Sequence, residues 1–112
     1  MIYHICKIID WENANIASEY RADSLESEGL IHCSTSTQVP RVLNSFYKGQ
    51  QDLALLVIDL SRLEPQVKWE PGLDKPDELF PHVFGPINLD AIDRTITLPI
   101  NADGNFKIPS LG

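Results

Sequence analysis

Residues 2–8, IYHICKI, alternate with a period of two and predict a first strand with Ile2, His4 and Cys6 on one face. Asp10 then stands where its carboxylate can accept the free first-turn N–H groups of a short helix, WENANIASEY. Gly29 opens a second apolar strand, LIHCS, in which Ile31 and Cys33 face opposite to His32 and Ser34. The period changes after Gln38: Val39, Val42, Leu43, Phe46 and Tyr47 recur at helical spacing, and Gly49 suits the stop. Pro40 has no N–H to give and fits only a first turn, which sets the cap at about Thr37. Ser34, Thr35 and Ser36 are left in the strand-to-helix connection, their hydroxyls facing the positive end of that helix.

The second half reads as strands. DLALLVIDL (52–60) is apolar almost without interruption, as expected of a strand covered on both faces. VKWE (67–70) alternates, predicting Val67 and Trp69 toward the core and Lys68 and Glu70 away from it. PGLDKPDEL (71–79) is a predicted loop, and FPHVFGPI (80–87) a short, rigid segment held by prolines. A helical turn near NLDAID leads to the strand TITLPI, and a turn at ADG introduces a last strand around NFKI. With six or so strands and two or three short flanking helices, the expected class is α+β, one domain over residues 1–112, on a mixed or mostly antiparallel sheet.

Composition narrows the partners. The chain has 112 residues, 43% hydrophobic and 22% charged, near the averages for globular domains. No apolar run approaches the roughly 20 residues of a membrane span, and the start lacks the basic and apolar segments of a secretion signal. The expected location is therefore cytoplasmic, with no membrane partner. Sixteen acidic residues against nine basic ones give a net charge of −7, which opposes nonspecific nucleic-acid binding. Cys6 and Cys33, with no C-x-x-C spacing, read most simply as reduced, buried thiols.

The candidate chemistry lies in three histidines, one carboxylate and the hydroxyl run. His4, His32 and His82 sit in apolar, strand-like contexts, where a polar ring needs a hydrogen-bond partner. Each can tie a strand to a neighbouring loop; alternatively, all three line one cleft with Ser34, Thr35 and Ser36. A helix N-terminus fronted by hydroxyls suits an anion, although Ser and Thr also cap helices with no ligand involved. Glu70, closing an alternating strand beside Trp69, is the carboxylate best placed for acid chemistry. Two mechanisms fit. In one, histidines and hydroxyls hold a dinucleotide while the carboxylate orients a ribose hydroxyl and stabilises positive charge developing at the sugar. In the other, the three histidines with Glu70 or Cys33 ligate a metal such as zinc for hydrolysis, although their spacing matches no compact metal motif.

IYHI, GLIHCSTSTQV, DLALLVID, VKWE and FPHVFGPI together resemble domain-of-unknown-function family 952, small proteins of bacteria and plants, over nearly the whole chain. That family is grouped with the ADP-ribosyltransferase-like superfamily. The resemblance implies a split, mostly antiparallel sheet with flanking helices and NAD in the cleft between its halves. It implies that His4 and His32 bind ribose or phosphate, and that the Ser34, Thr35 and Ser36 hydroxyls hold the nicotinamide side. Glu70 would be the catalytic acid, lying earlier in the chain than the superfamily's glutamate, and His82 would complete the catalytic wall. The chain has no E-x-E turn and no arginine-rich set like that of the tRNA 2′-phosphotransferases. The implied function is thus NAD-dependent ADP-ribosyl or glycosyl transfer. The alternatives are a noncatalytic nucleotide- or ADP-ribose-binding module and a histidine-ligated metal-dependent hydrolase.

Overall fold

The computed structural model describes residues 1–72 and 75–111. Its elements run β1 (Ile2–Lys7), α1 (Ile8–Ala17), β2 (Glu19–Tyr20), α2 (Asp23–Glu28), β3 (Ile31–His32), α3 (Val39–Phe46), β4 (Leu53–Ile58), β5 (Val67–Pro71), β6 (Leu79–Val83), β7 (Ile87–Asn88), a 3₁₀ turn (Leu89–Ala91) and β8 (Ile92–Leu98). Among the described residues every strand pairing is antiparallel, in two three-stranded sheets, β1-β4-β8 and β3-β6-β5, and one ribbon, β2-β7. The class is α+β, with antiparallel sheets and three α-helices.

The continuous apolar run of β4 has the cause expected of it. The strand is central, flanked by β1 and β8, and all six of its residues are buried. Alternate residues feed two cores. Ala54, Leu56 and Ile58 join Ile2, Cys6, Ala14, Tyr20 and Ile31 on one face. Leu53, Leu55 and Val57 join Tyr3, Ile5, Val39, Leu43 and Leu98 on the other. Strand β1 obeys the same period of two, so His4 lies on the face of Ile2 and Cys6.

Several local expectations are corrected. Helix α1 follows β1 directly, with Asp10 inside its first turn and Lys7 at the cap position. It ends at Ser18, in the left-handed region at φ 65°, which frees Tyr20 to pair in β2. Helix α2 was not expected; Asp23 and Glu26 in its first turn suit the positive end, and Gly29 at φ 80° ends it. The cap of α3 is Gln38, one residue later than the Thr37 expected, with Pro40 in the first turn. Val67 packs on the core, but Trp69 runs past its end and is 47% exposed, although it lies on the same face. The expected loop over 71–79 narrows to 72–78, of which residues 73 and 74 lie outside the described residues. The expected last strand around NFKI is reduced to one bridge between Ile100 and Phe106.

Leu56 and Trp69 separate the true core from the expected one. Leu56→Ala is expected to cost 2–5 kcal/mol, roughly the cost of a buried leucine cavity. Trp69→Ala is expected to cost under about 1 kcal/mol, as at an exposed position. Urea unfolding of the two variants checks the contrast.

Candidate functional site

Strand β1 is an edge strand, yet it is held at one point on its open side. The Tyr3 N–H donates to the Ser34 carbonyl, and the Ser34 N–H donates to the Tyr3 carbonyl, both at 2.8 Å. Beyond that bridge β1 has no strand partner on this side among the described residues, and His4, Ile5, Cys6 and Lys7 line a cavity of about 770 Å³. Its other walls come from α2, from the β3-β6-β5 sheet, from Val42 and Phe46 of α3, and from Tyr47 at the end of that helix. A volume of this size is ordinary for a small-molecule site.

The β3-β6-β5 sheet turns its two faces to different tasks. Register pairs Ile31 with Val83 and Val83 with Val67, a row that enters the core. The next row, His32–His82–Lys68, points the other way. The His32 and His82 rings meet edge to face, 82° apart, with centroids 5.0 Å from each other. Phe80 and Glu70, paired across β6 and β5, share this face.

Each of these histidines has its own carboxylate. His82 Nδ1–H donates to Glu70 Oε1 at 2.7 Å, and the His82 side chain is 8% exposed. His32 Nε2–H donates to Glu28 Oε1 at 3.1 Å, and its side chain is 44% exposed. Among the described residues, His82 Nε2 and His32 Nδ1 have no hydrogen-bond partner. His82 Nε2 is not sealed in, since among the described residues the one buried side-chain nitrogen or oxygen without a partner is Arg41 Nε. Both histidines line the cavity, with Glu28 and Glu70 beside them.

His4 is arranged differently, because both its nitrogens are used inside the protein. A carbonyl can only accept, so Nδ1–H donates to His32 C=O at 2.6 Å. Nε2 then accepts from the Tyr20 hydroxyl at 2.8 Å. Burial is the main cause that lowers the His4 pKa to about 4, and the ring is therefore neutral near pH 7. Burial likewise pushes the Tyr20 hydroxyl above its ordinary range. Cys6 and Cys33 are free, buried thiols; burial, aided by the charge of Asp10, pushes Cys6 up to about 12, and burial alone pushes Cys33 up. They are thiols rather than thiolates, and act as small apolar side chains.

Of the residues expected at the site, His4, His32, Ser34, Glu70 and His82 line one cavity. Thr35 and Ser36 do not. They belong to a closed turn in which the Thr35 N–H donates to Gln38 Oε1 and the Thr35 carbonyl accepts from the N–H groups of Gln38 and Val39. Gln38 also clamps this turn to β6, donating from Nε2 to the Leu79 carbonyl. The Lys68 and Glu70 side chains do point away from the core, but for Glu70 that direction is into the cavity. Sequence reading passed over Tyr20, Glu28 and Asp23, and gave Asp10 only the part of a helix cap. Glu28 left a usable signal, four residues before His32 with a helix-ending glycine between them. Tyr20 left none, since its partner is sixteen residues away on another strand. Of the core positions expected on α3, Tyr47 packs on the core while Phe46 is 52% exposed, and both line the cavity. Among the described residues no three His, Cys, Asp or Glu side chains are grouped as metal ligands. No helix there is long and apolar enough to cross a membrane.

The sequence profile described as "Protein of unknown function (DUF952)" matches residues 5–95. No curated protein matches. The fold is similar to the crystal structure of protein CC0527 from Caulobacter crescentus, with a TM-score of 0.83 and 26% identity over 95% of this chain and 92% of that one. The solution structure of the same protein gives a TM-score of 0.79 and 27% identity over 93% and 89% of the two chains.

The His4 arrangement ties stability to pH. The folded pKa, about 4, lies below the ordinary value of 6.5, so the unfolded chain binds more protons between those values. His4 therefore contributes stability in full above about pH 6.5 and loses it as pH falls toward 4. The loss should approach about 3 kcal/mol at the acid end, at 1.36 kcal/mol per pKa unit. Urea unfolding from pH 7.5 to 4.5 should show this slope, and His4→Gln should flatten it.

Proposed function

We propose that this chain, which belongs to the DUF952 family, binds NAD or a related nucleotide in the cavity beside β1 and acts there on its N-glycosidic bond. The observation that carries the reading is the Glu70–His82 pair. A carboxylate holds one ring nitrogen of a largely buried imidazole, leaving the other nitrogen open to a ligand-sized cavity. This is the arrangement that makes histidine a directed base. Glu70 also brings negative charge to where a sugar carbon becomes positive as its base departs.

The cavity's charge bears on which part of the nucleotide enters. Among the described residues, four carboxylates line it (Asp10, Asp23, Glu28 and Glu70), with Lys7 as the one lysine or arginine. Carboxylates accept hydrogen bonds from ribose hydroxyls and repel phosphate, so the nucleoside end lies inside and the phosphates at the mouth. His4 serves by holding the His32 carbonyl, and Ser34 by holding β1. Phe46, Tyr47 and Phe80 offer aromatic surface to a base. The superfamily resemblance implied by the sequence motifs points the same way. A noncatalytic binding module is the second reading, favoured by the His4 ring, both of whose nitrogens are already engaged.

The test is thermal unfolding with NAD or ADP-ribose. A ligand that binds only the folded state adds about 2.7 kcal/mol at 100 times its Kd. For a domain of this size that raises Tm by roughly 10 °C or more. Glu70→Gln should reduce the shift at equal ligand concentration. No shift at millimolar NAD and ADP-ribose would remove the reading; a shift with no base released on prolonged incubation would leave the noncatalytic one.

A further inference from the structure

Nicotinamide leaves NAD as a neutral molecule and needs no proton, so one base and one carboxylate would complete that reaction. The cavity holds a second imidazole with its own carboxylate. His32 and His82 stand at directly paired positions of β3 and β6, with ring centroids 5.0 Å apart. Each has one nitrogen held by a glutamate and one without a hydrogen-bond partner among the described residues, and both side chains line the same cavity. Two such groups suit a reaction in which one proton is removed and another delivered. Hydrolysis of an N-glycoside needs both when the departing base would otherwise leave as an anion.

We infer that His32 is the general acid and His82 the general base for cleavage of N-glycosides whose base is neutral, as in ordinary nucleosides. The inference rests on the glycosidic reading above and extends it to the leaving group. The C1′–N bond breaks, and its electron pair goes to the base, which takes a proton from the imidazolium form of His32; His32 is left neutral. The positive charge left at C1′ faces Glu70. Water forms the new C1′–O bond and gives its proton to His82 Nε2. The products are the free base and ribose, and the two rings regain their starting states by exchange with solvent. The difference in exposure fits the roles. His32, 44% exposed, can be reprotonated from solvent, while His82, 8% exposed, is shielded and directed by Glu70. The lone lining lysine among four carboxylates, counted over the described residues, favours an uncharged nucleoside over a phosphorylated one.

A comparison of leaving groups tests this. The full chain and its His32→Ala variant would be assayed with adenosine and with p-nitrophenyl β-ribofuranoside, whose leaving group departs without a proton. Wild-type protein should release adenine. His32→Ala should lose about 10²-fold or more on adenosine and less than about tenfold on the nitrophenyl riboside. Equal losses on both substrates would overturn the assignment of His32 as acid. Circular dichroism checks folding, and His32→Asn replaces the alanine variant if that one does not fold. Absence of base release from adenosine and uridine by wild-type protein would overturn the inference. If NAD in that case still raises Tm and releases nicotinamide, the glycosidic reading stands without the inference; if NAD does neither, both fail.

Discussion

Two backbone hydrogen bonds, exchanged between Tyr3 and Ser34, join the two sheets at the single point from which the rest of the site follows. At Tyr3 the edge of β1 is paired, and from His4 onward it is open. The same few residues thus bring the sheets together and let them part. The His4 ring reinforces the junction from the side, reaching the His32 carbonyl while Tyr20 occupies its other nitrogen. A buried network of this kind is stable only when every member is satisfied, and here each ring nitrogen has a partner. Position along β3 is fixed in the process, and with it the place where the His32 ring enters the cavity.

The division of labour within the β3-β6-β5 sheet follows from the period of two. One row is aliphatic and closes the core; the next carries histidine, histidine and lysine across three strands. A slip of β3 by one residue against β6 would turn His32 into the core and Ile31 into the cavity. The apolar row therefore sets the register that places His32 against His82. The hydrophobic core and the polar site depend on the same pairing.

Much of this was legible in the sequence, and the reasons differ between residues. The alternation in IHC put His32 on the face opposite Ile31 and Cys33, and the unbroken run of β4 announced a strand covered on both sides. Pro40 located the start of α3 to within one residue. What could not be read was long-range. Nothing local distinguishes Tyr20 from any other aromatic, and its partner depends on how β2 docks. Trp69 shows the limit of periodicity: alternation gives the face of a strand correctly but not how far the core beneath it extends. The hydroxyl run misled in a similar way. Its residue types fit an anion site, but Thr35 closes a turn with Gln38, and Gln38 fastens that turn to β6.

The central place of β4 also bears on how the chain is assembled. Its partners are residues 2–7 on one side and 92–98 on the other, so both cores remain half covered until the last of these is present. During synthesis, β1 and β4 can meet early, but six consecutive buried residues of β4 then have an open flank. Nonlocal pairings of this kind are slow to close, because the entropy of the intervening loop is lost before the contacts form. A ribosome that stalled before residue 92 would therefore leave exposed the most aggregation-prone strand of the molecule.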